Sequence, residues 1–234
     1  MLRDNGRPPS PKERMPATAP VTLKIDFVSD VVCPWCAIGL AALTQAADRL
    51  AGEVQIDWHF QPFELNPGMA PGGEDLFDHL AAKYGAGRAQ LEQTHAQIAA
   101  RGAALGFTFS PRRTRIYNSF DAHRLLHWLG EEGARGQQLA FQRGLFKRHF
   151  TDGENPSDRD VLLRLVRDLG LDEACARAVI DSGEFADAVR ERQAFYREQG
   201  IHAVPAVIVN ERHLIEGGQP VEVFEQALRQ MAVQ

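Results

Sequence analysis

The sequence predicts an α/β fold in which a small unit of strands and helices is interrupted by a large all-helical insertion. Three observations lead there. An apolar run ends in Cys33-Pro34-Trp35-Cys36 at a helix start, Leu76 to about Phe195 shows no strand periodicity, and two short strands return late in the chain.

Taken in order, Val21, Leu23, Ile25, Phe27 and Val28 give a buried strand over Val21 to Val28. Ile38, Leu40, Leu43, Ala46, Ala47 and Leu50 then return to one face of a helix from Ala37 to Leu50. Val54, Ile56, Trp58 and Phe60 alternate with polar residues as a second strand, which Gln61-Pro62 and Pro67-Gly68 break. Helical patterns follow at Leu76–Tyr84, Arg88–Leu105, Ser119–Leu129 and Gln137–Arg148. Another opens at Asn155-Pro156-Ser157 with Ser157 as N-cap, followed by Leu171–Ile180 and Phe185–Gln199. Ala206–Val209 and His213–Glu216 flank Asn210-Glu211-Arg212 as a hairpin, and Pro220 starts a last helix facing inward with Val221, Phe224, Leu228 and Met231. The expected division is a disordered leader over 1–20, a first half over 21–63, the helical insertion over 64–185 and a second half over 186–234. Met15 offers an alternative start within that leader.

With 234 residues, 44% apolar and 24% charged, the chain has enough apolar content for a substantial core. A net charge of −5 carries no basic footprint, so nucleic acid is not an expected partner. No apolar stretch approaches the roughly 20 residues a membrane span needs, and no membrane partner is expected. Residues 1–20 lack the apolar core of a secretory signal, and three cysteines make no disulfide scaffold, so the expected compartment is the reducing cytoplasm.

The chemistry centres on Cys33 and Cys36. Free N–H groups and the dipole of a helix's first turn stabilise negative charge, so a thiol placed there ionises more readily. Pro34 suits that turn because its missing N–H would have had no partner. Cys33 is then expected to be the exposed attacker and Cys36, one turn in, the shielded resolving thiol. Half of a zinc site is the competing reading, yet the only further cysteine is Cys175, and the eight histidines form no second ligand pair. His123 and His127 have a metal-compatible spacing but no third ligand, and read as packed or solvated; no metal is expected. Two inert buried cysteines are the remaining alternative. Trp35 is either a substrate platform or packed against the helix, and Cys175 reads as a small buried apolar residue. Asp26 and Asp30 are both candidates for the group that accepts the Cys36 proton, and the sequence does not choose between them. Pro205 stands before the strand Ala206–Val209, where a proline is tolerated.

Ser29-Asp30-Val31-Val32-Cys33-Pro34-Trp35-Cys36, Glu64-Leu65-Asn66-Pro67 with Gly72-Gly73-Glu74, and Asn118 to Leu125 appear in an order that resembles the DsbA-family thiol–disulfide oxidoreductases of the FrnE-like branch. Val204-Pro205-Ala206-Val207 and Gly217-Gly218-Gln219-Pro220 extend the resemblance from about Val21 to the end. It implies a thioredoxin fold interrupted by a helical domain, with Cys33 as nucleophile, Cys36 as resolving thiol and a cis Pro205 that turns the Val204 backbone toward Cys33, leaving its N–H and C=O to pair with an extended substrate. The substrates implied are thiol- or disulfide-containing proteins or small molecules, and the only cofactor is the redox-active Cys33–Cys36 disulfide, with glutathione as candidate co-substrate. Kappa-class glutathione transferases and 2-hydroxychromene-2-carboxylate isomerases are similar in architecture but generally carry serine where Cys33 stands. The leading expectation is disulfide exchange or isomerisation. A glutathione-dependent isomerase or transferase for a small aromatic molecule and a non-catalytic, chaperone-like module are the alternatives. Oligomeric state is not legible.

Overall fold

Alternating side chains in the first strand decide how the molecule is layered. A computed structural model describes residues 19–233, so almost all of the expected leader, including Met15, lies outside the described residues. β1 (Val21–Ser29) sends Leu23, Ile25 and Phe27 into one core and Val28 into another on the opposite sheet face. α1 (Pro34–Arg49) crosses over to β2 (Val54–Pro62), which pairs parallel with β1. The chain then leaves the sheet through β3 (Glu74–Asp75), α2 (Leu76–Tyr84), α3 (Arg88–Ala104) and β4 (Arg115–Ile116). It continues through α4 (Phe120–Glu131), α5 (Gln137–Phe146), α6 (Arg159–Asp168), α7 (Glu173–Ser182) and α8 (Ala186–Glu198). β5 (Ala206–Val209) returns antiparallel to β1, β6 (His213–Glu216) pairs with β5, and α9 (Val221–Met231) closes the fold. The sheet order is β2-β1-β5-β6. This is a thioredoxin-like α/β core elaborated by a large helical region, the fold class expected from the sequence.

α1 and α9 pack together over one sheet face around Phe27, Leu40, Leu43 and Phe224. The inserted helices have their own core, built on Leu125, Phe141, Leu162 and Val166, and Val31 and Val32 belong to it. The turn before Cys33 is therefore the seam between the two cores: Val32 is buried in one and Cys33 in the other. No described helix is long and apolar enough to cross a membrane.

Four local expectations need correction. β3 and β4 form a two-residue ladder inside the helical block, too short to leave a periodic signature. Asp158, not Ser157, caps α6: its carboxylate accepts from the N–H groups of Asp160 and Val161, while the Ser157 hydroxyl is committed to the Asn118 carbonyl. α5 does not stop at Arg148 but runs on as a π-helical turn over Lys147–Asp152, which brings His149 and Phe150 inward. Cys175 is exposed, because α7 turns the neighbouring Ala176 and Val179 into the core.

Candidate active site

Cys33 is the N-cap residue of α1 and Pro34 its first residue, so the Cys33 carbonyl accepts the N–H groups of Cys36 and Ala37. Both thiols are free. The Val204–Pro205 peptide bond is cis, and the Cys33 thiol donates to the Val204 carbonyl at 3.7 Å. The Pro205 loop is pinned from two sides. The Gly217 N–H donates to the Pro205 carbonyl at 2.8 Å, and the Pro205 ring lies where a Cβ on Gly39 would be only 2.9 Å from its Cγ. The backbone of α1 can approach the proline this closely because residue 39 is glycine.

The two thiols are driven in opposite directions. Cys33 titrates below the ordinary thiol value, chiefly because the Cys36 thiol donates toward it, assisted by the backbone N–H groups of Cys36 and Trp35. Burial and the negative charge of Asp30 oppose this without overturning it. Cys36 is pushed well above the ordinary value, first by burial and then by its neighbour Cys33.

The expectation of an exposed Cys33 is not met: the residue is 4% exposed and Cys36 0%. Side chains of α2, α3 and the Arg113–Ile116 segment roof the thiol and leave a cavity of about 320 Å³ against Val32, Cys33, Pro34 and Trp35. Trp35 is packed, though only partly, against the α1 core. It also lines this cavity and carries the Arg101 guanidinium 5.2 Å above its ring.

The profile of the DSBA-like thioredoxin domain family matches residues 24–229. The chain belongs to this family. Uncharacterized protein YwbO of Bacillus subtilis (strain 168) is 28% identical over 211 residues, 89% of this chain and 96% of that protein. The structure of probable DsbA oxidoreductase SCO1869 from Streptomyces coelicolor matches with a TM-score of 0.80 at 30% identity over 89% of each chain. At 18% identity, cytosolic disulfide reductase DsbM of Pseudomonas aeruginosa, solved with GSH, shares the fold with a TM-score of 0.63 over 90% of this chain and 100% of that one. A DSBA-like fold carrying the Cys33–Cys36 pair supports a thiol-based redox function.

Within this DSBA-like site the two aspartates separate. Asp30 is fully buried behind the cysteines. Its carboxylate accepts the Leu65 N–H at 2.7 Å and the Val32 N–H at 3.2 Å, and its charge raises both thiols. Asp26 is also buried, but it sits on the other sheet face, accepting from the Gln61 amide at 2.6 Å with Lys24 at 3.5 Å. The reason is strand alternation: Ile25 and Phe27 face the cysteine side, so the residue between them cannot.

Further residues stand near the cysteines, one of them noted in the sequence only for its spacing. His123 is buried with Nε2 3.7 Å from Asp30 Oδ1, which ties the Asn118–Leu125 segment to the site, whereas His127 lies on another face against Phe185. Arg113 reaches in from the loop before β4. Its Nε–H donates to His149 Nε2 at 3.0 Å, Nη2 donates to the Val32 carbonyl at 3.4 Å, and the guanidinium lies 4.8 Å from the Phe150 ring centroid. Nothing in Arg112-Arg113-Thr114-Arg115 distinguishes this arginine from its neighbours, which are exposed. His79, on α2, lines the same cavity.

Proposed function

We propose that this protein is a thiol–disulfide oxidoreductase of the FrnE-like branch that exchanges or isomerises disulfides through its Cys-Pro-Trp-Cys motif. Cys33 attacks a substrate disulfide as thiolate, and Cys36 resolves the mixed disulfide that results. The observation that carries this reading is the placement of Cys33 at the N-cap of α1 with its sulfur against the Val204 carbonyl of the cis-proline loop and Cys36 buried one turn in; the opposed pKa directions of the two thiols accord with it. In the resolving step Asp30 is the carboxylate proposed to help take the Cys36 proton. Support for choosing it over Asp26 comes from its charge acting on both sulfurs.

Equilibration of the protein in glutathione redox buffers, with thiol trapping and intact mass as readout, tests the pair. The expected result is a reversible loss of two protons mapped to Cys33 and Cys36. A potential near about −270 mV identifies a reductant, and one nearer about −120 mV an oxidant or isomerase. Cys33→Ser is expected to be inactive and Cys36→Ala to accumulate a mixed disulfide; no internal disulfide at any poise refutes the reading.

One observation favours a second reading. The cavity beside Cys33 has the dimensions of a small-molecule pocket, as a glutathione-dependent isomerase or transferase for a small aromatic substrate requires. That reading expects turnover to survive Cys36→Ala and glutathione to raise thermal stability.

A further inference from the structure

The charged side chains that line the Cys33 cavity, Arg113 and Lys83, are both cationic. His79 and His95 also line it, and no aspartate or glutamate does so among the described residues, although the chain as a whole carries a net charge of −5. The acids nearby are occupied elsewhere. Asp30 is turned to the N–H groups of Val32 and Leu65, and Glu74 holds His79 Nδ1 at 2.7 Å from outside the cavity. Lys83, at the rim, donates only to neutral oxygens of Leu65 and Asn66.

Arg113 is the distinctive member. It is densely packed, so that burial lowers its pKa to about 10, but part of it stays accessible from the cavity. No carboxylate pairs with it among the described residues: its acceptors are a neutral imidazole and a backbone carbonyl, and its other face covers an aromatic ring. A guanidinium presents five N–H donors, and these two bonds use two of them. Charges placed away from bulk water are ordinarily matched by a counter-charge. Within this cavity the counter-charge is the Cys33 thiolate or something that enters; Asp75, in the neighbouring cavity that Arg113 also lines, is turned to the N–H groups of Phe77 and Asp78 at the start of α2.

We propose that the Cys33 cavity is a subsite for small thiols and disulfides bearing an acidic group, with the Arg113 guanidinium holding the carboxylate while the substrate sulfur meets Cys33. This rests on the disulfide-exchange reading and names its substrate class. Cys33 is reached through a cavity of about 320 Å³, which admits a small molecule. The reaction balances without another reagent. The Cys33 thiolate bonds to one substrate sulfur and expels the other half as a thiolate. Cys36 then gives up its proton with the help of Asp30 and bonds to Cys33 Sγ, expelling the second thiolate. Two electrons pass from the protein dithiol to the substrate disulfide.

Single-turnover oxidation of pre-reduced protein by three small disulfides provides the test: dithiodipropionate (anionic), hydroxyethyl disulfide (neutral) and cystamine (cationic). Each rate is divided by the rate of the same disulfide with a free small thiol, which removes intrinsic reactivity. The expected corrected preference for the anion over the neutral compound is about tenfold or more, as a charge-assisted hydrogen bond supplies, with cystamine slowest. Arg113→Gln is expected to bring the ratio close to one. Arg113→Lys is expected to keep part of it, since an ammonium retains the charge but not the fork. Equal corrected rates for all three, or a preference unchanged in a folded Arg113→Gln protein, overturns the proposal. The wild-type series decides by itself if the variants do not fold. If none of the three oxidises the Cys33–Cys36 pair, the disulfide-exchange reading has failed, and the subsite with it.

Discussion

Cys33 and Cys36 are the same amino acid three positions apart, yet their thiols titrate in opposite directions. The helix start supplies donors to the first sulfur, and burial in the α1 core penalises charge on the second. The charge of the Asp30 carboxylate acts against ionisation of both, although the Asp30 backbone favours it at Cys36, which makes this the side chain whose replacement is most informative. Asp30→Asn is expected to lower the pH at which each thiol ionises, read as ultraviolet thiolate absorbance against pH. It also removes an acceptor from a buried N–H at Val32 or Leu65, at a cost of about 1–3 kcal/mol. Asp26→Asn, on the opposite sheet face, is expected to leave both titrations where they were. Equal shifts from the two variants would remove the distinction between the aspartates. The two residues are four positions apart, a spacing that would share one face of a continuous strand; they part because β1 ends at Ser29 and the chain turns at Asp30 toward the start of α1.

At the scale of elements, the site exists because the start of α1 is pressed against the loop that precedes β5. Gly39 and Gly218 make that approach possible, one in the helix and one after β6. A methyl group on Gly39 would meet Pro205 Cγ at 2.9 Å, and a ring closed onto its own backbone can yield only by a change of pucker or a shift of the loop. Gly39→Ala is therefore expected to destabilise the protein by about 1–3 kcal/mol, seen as a lower urea midpoint with an unchanged slope. It is also expected to slow mixed-disulfide formation, because Val204 is carried away from Cys33. A variant as stable and as fast as wild type would show that the loop does not bear on the helix. The four strands of the main sheet, α1 and α9 were legible from their residue pattern, whereas the two-residue β3 and β4 were not. The π-helical turn after α5 was not, because its sequence reads as an ordinary continuation of the helix; its consequence is the inward His149.

For the molecule as a whole, the helical region is the part that turns a bare cysteine motif into an enclosed site. It contributes α2, α3 and Arg113 to the roof over Cys33 and places His149 beneath Arg113. Burial and the adjacent Arg113 charge hold His149 well below the ordinary histidine value of 6.5, while the Glu154 carbonyl gives slight opposition. Its Nε2 must be unprotonated to accept from Arg113. Because the folded pKa is depressed, the unfolded chain takes up a proton below about pH 6.5 that the folded chain does not, so stability falls as pH drops through that range. His95 and His127, also depressed mainly by burial, act in the same direction. Denaturation between about pH 6.5 and 5 is expected to show this decline. His149→Gln is expected to reduce its slope by about one proton; an unchanged slope would mean that His149 protonates freely in the folded state.

The sequence by itself determined the strand–helix–strand opening, the helical block, the late hairpin and the two cysteines at a helix start. Each of these is a local matter of periodicity and turn chemistry, carried by neighbouring residues. Tertiary structure alone decided that Cys33 is roofed over, that Asp30 and not Asp26 stands behind it, and that Arg113 and His79 share its cavity. These depend on which elements pack against which, and the burial of a side chain is set by residues far away in the chain. The 80 positions that separate Cys33 from Arg113 leave no trace in local pattern; the two meet only because the helical core is built on the turn that precedes the motif.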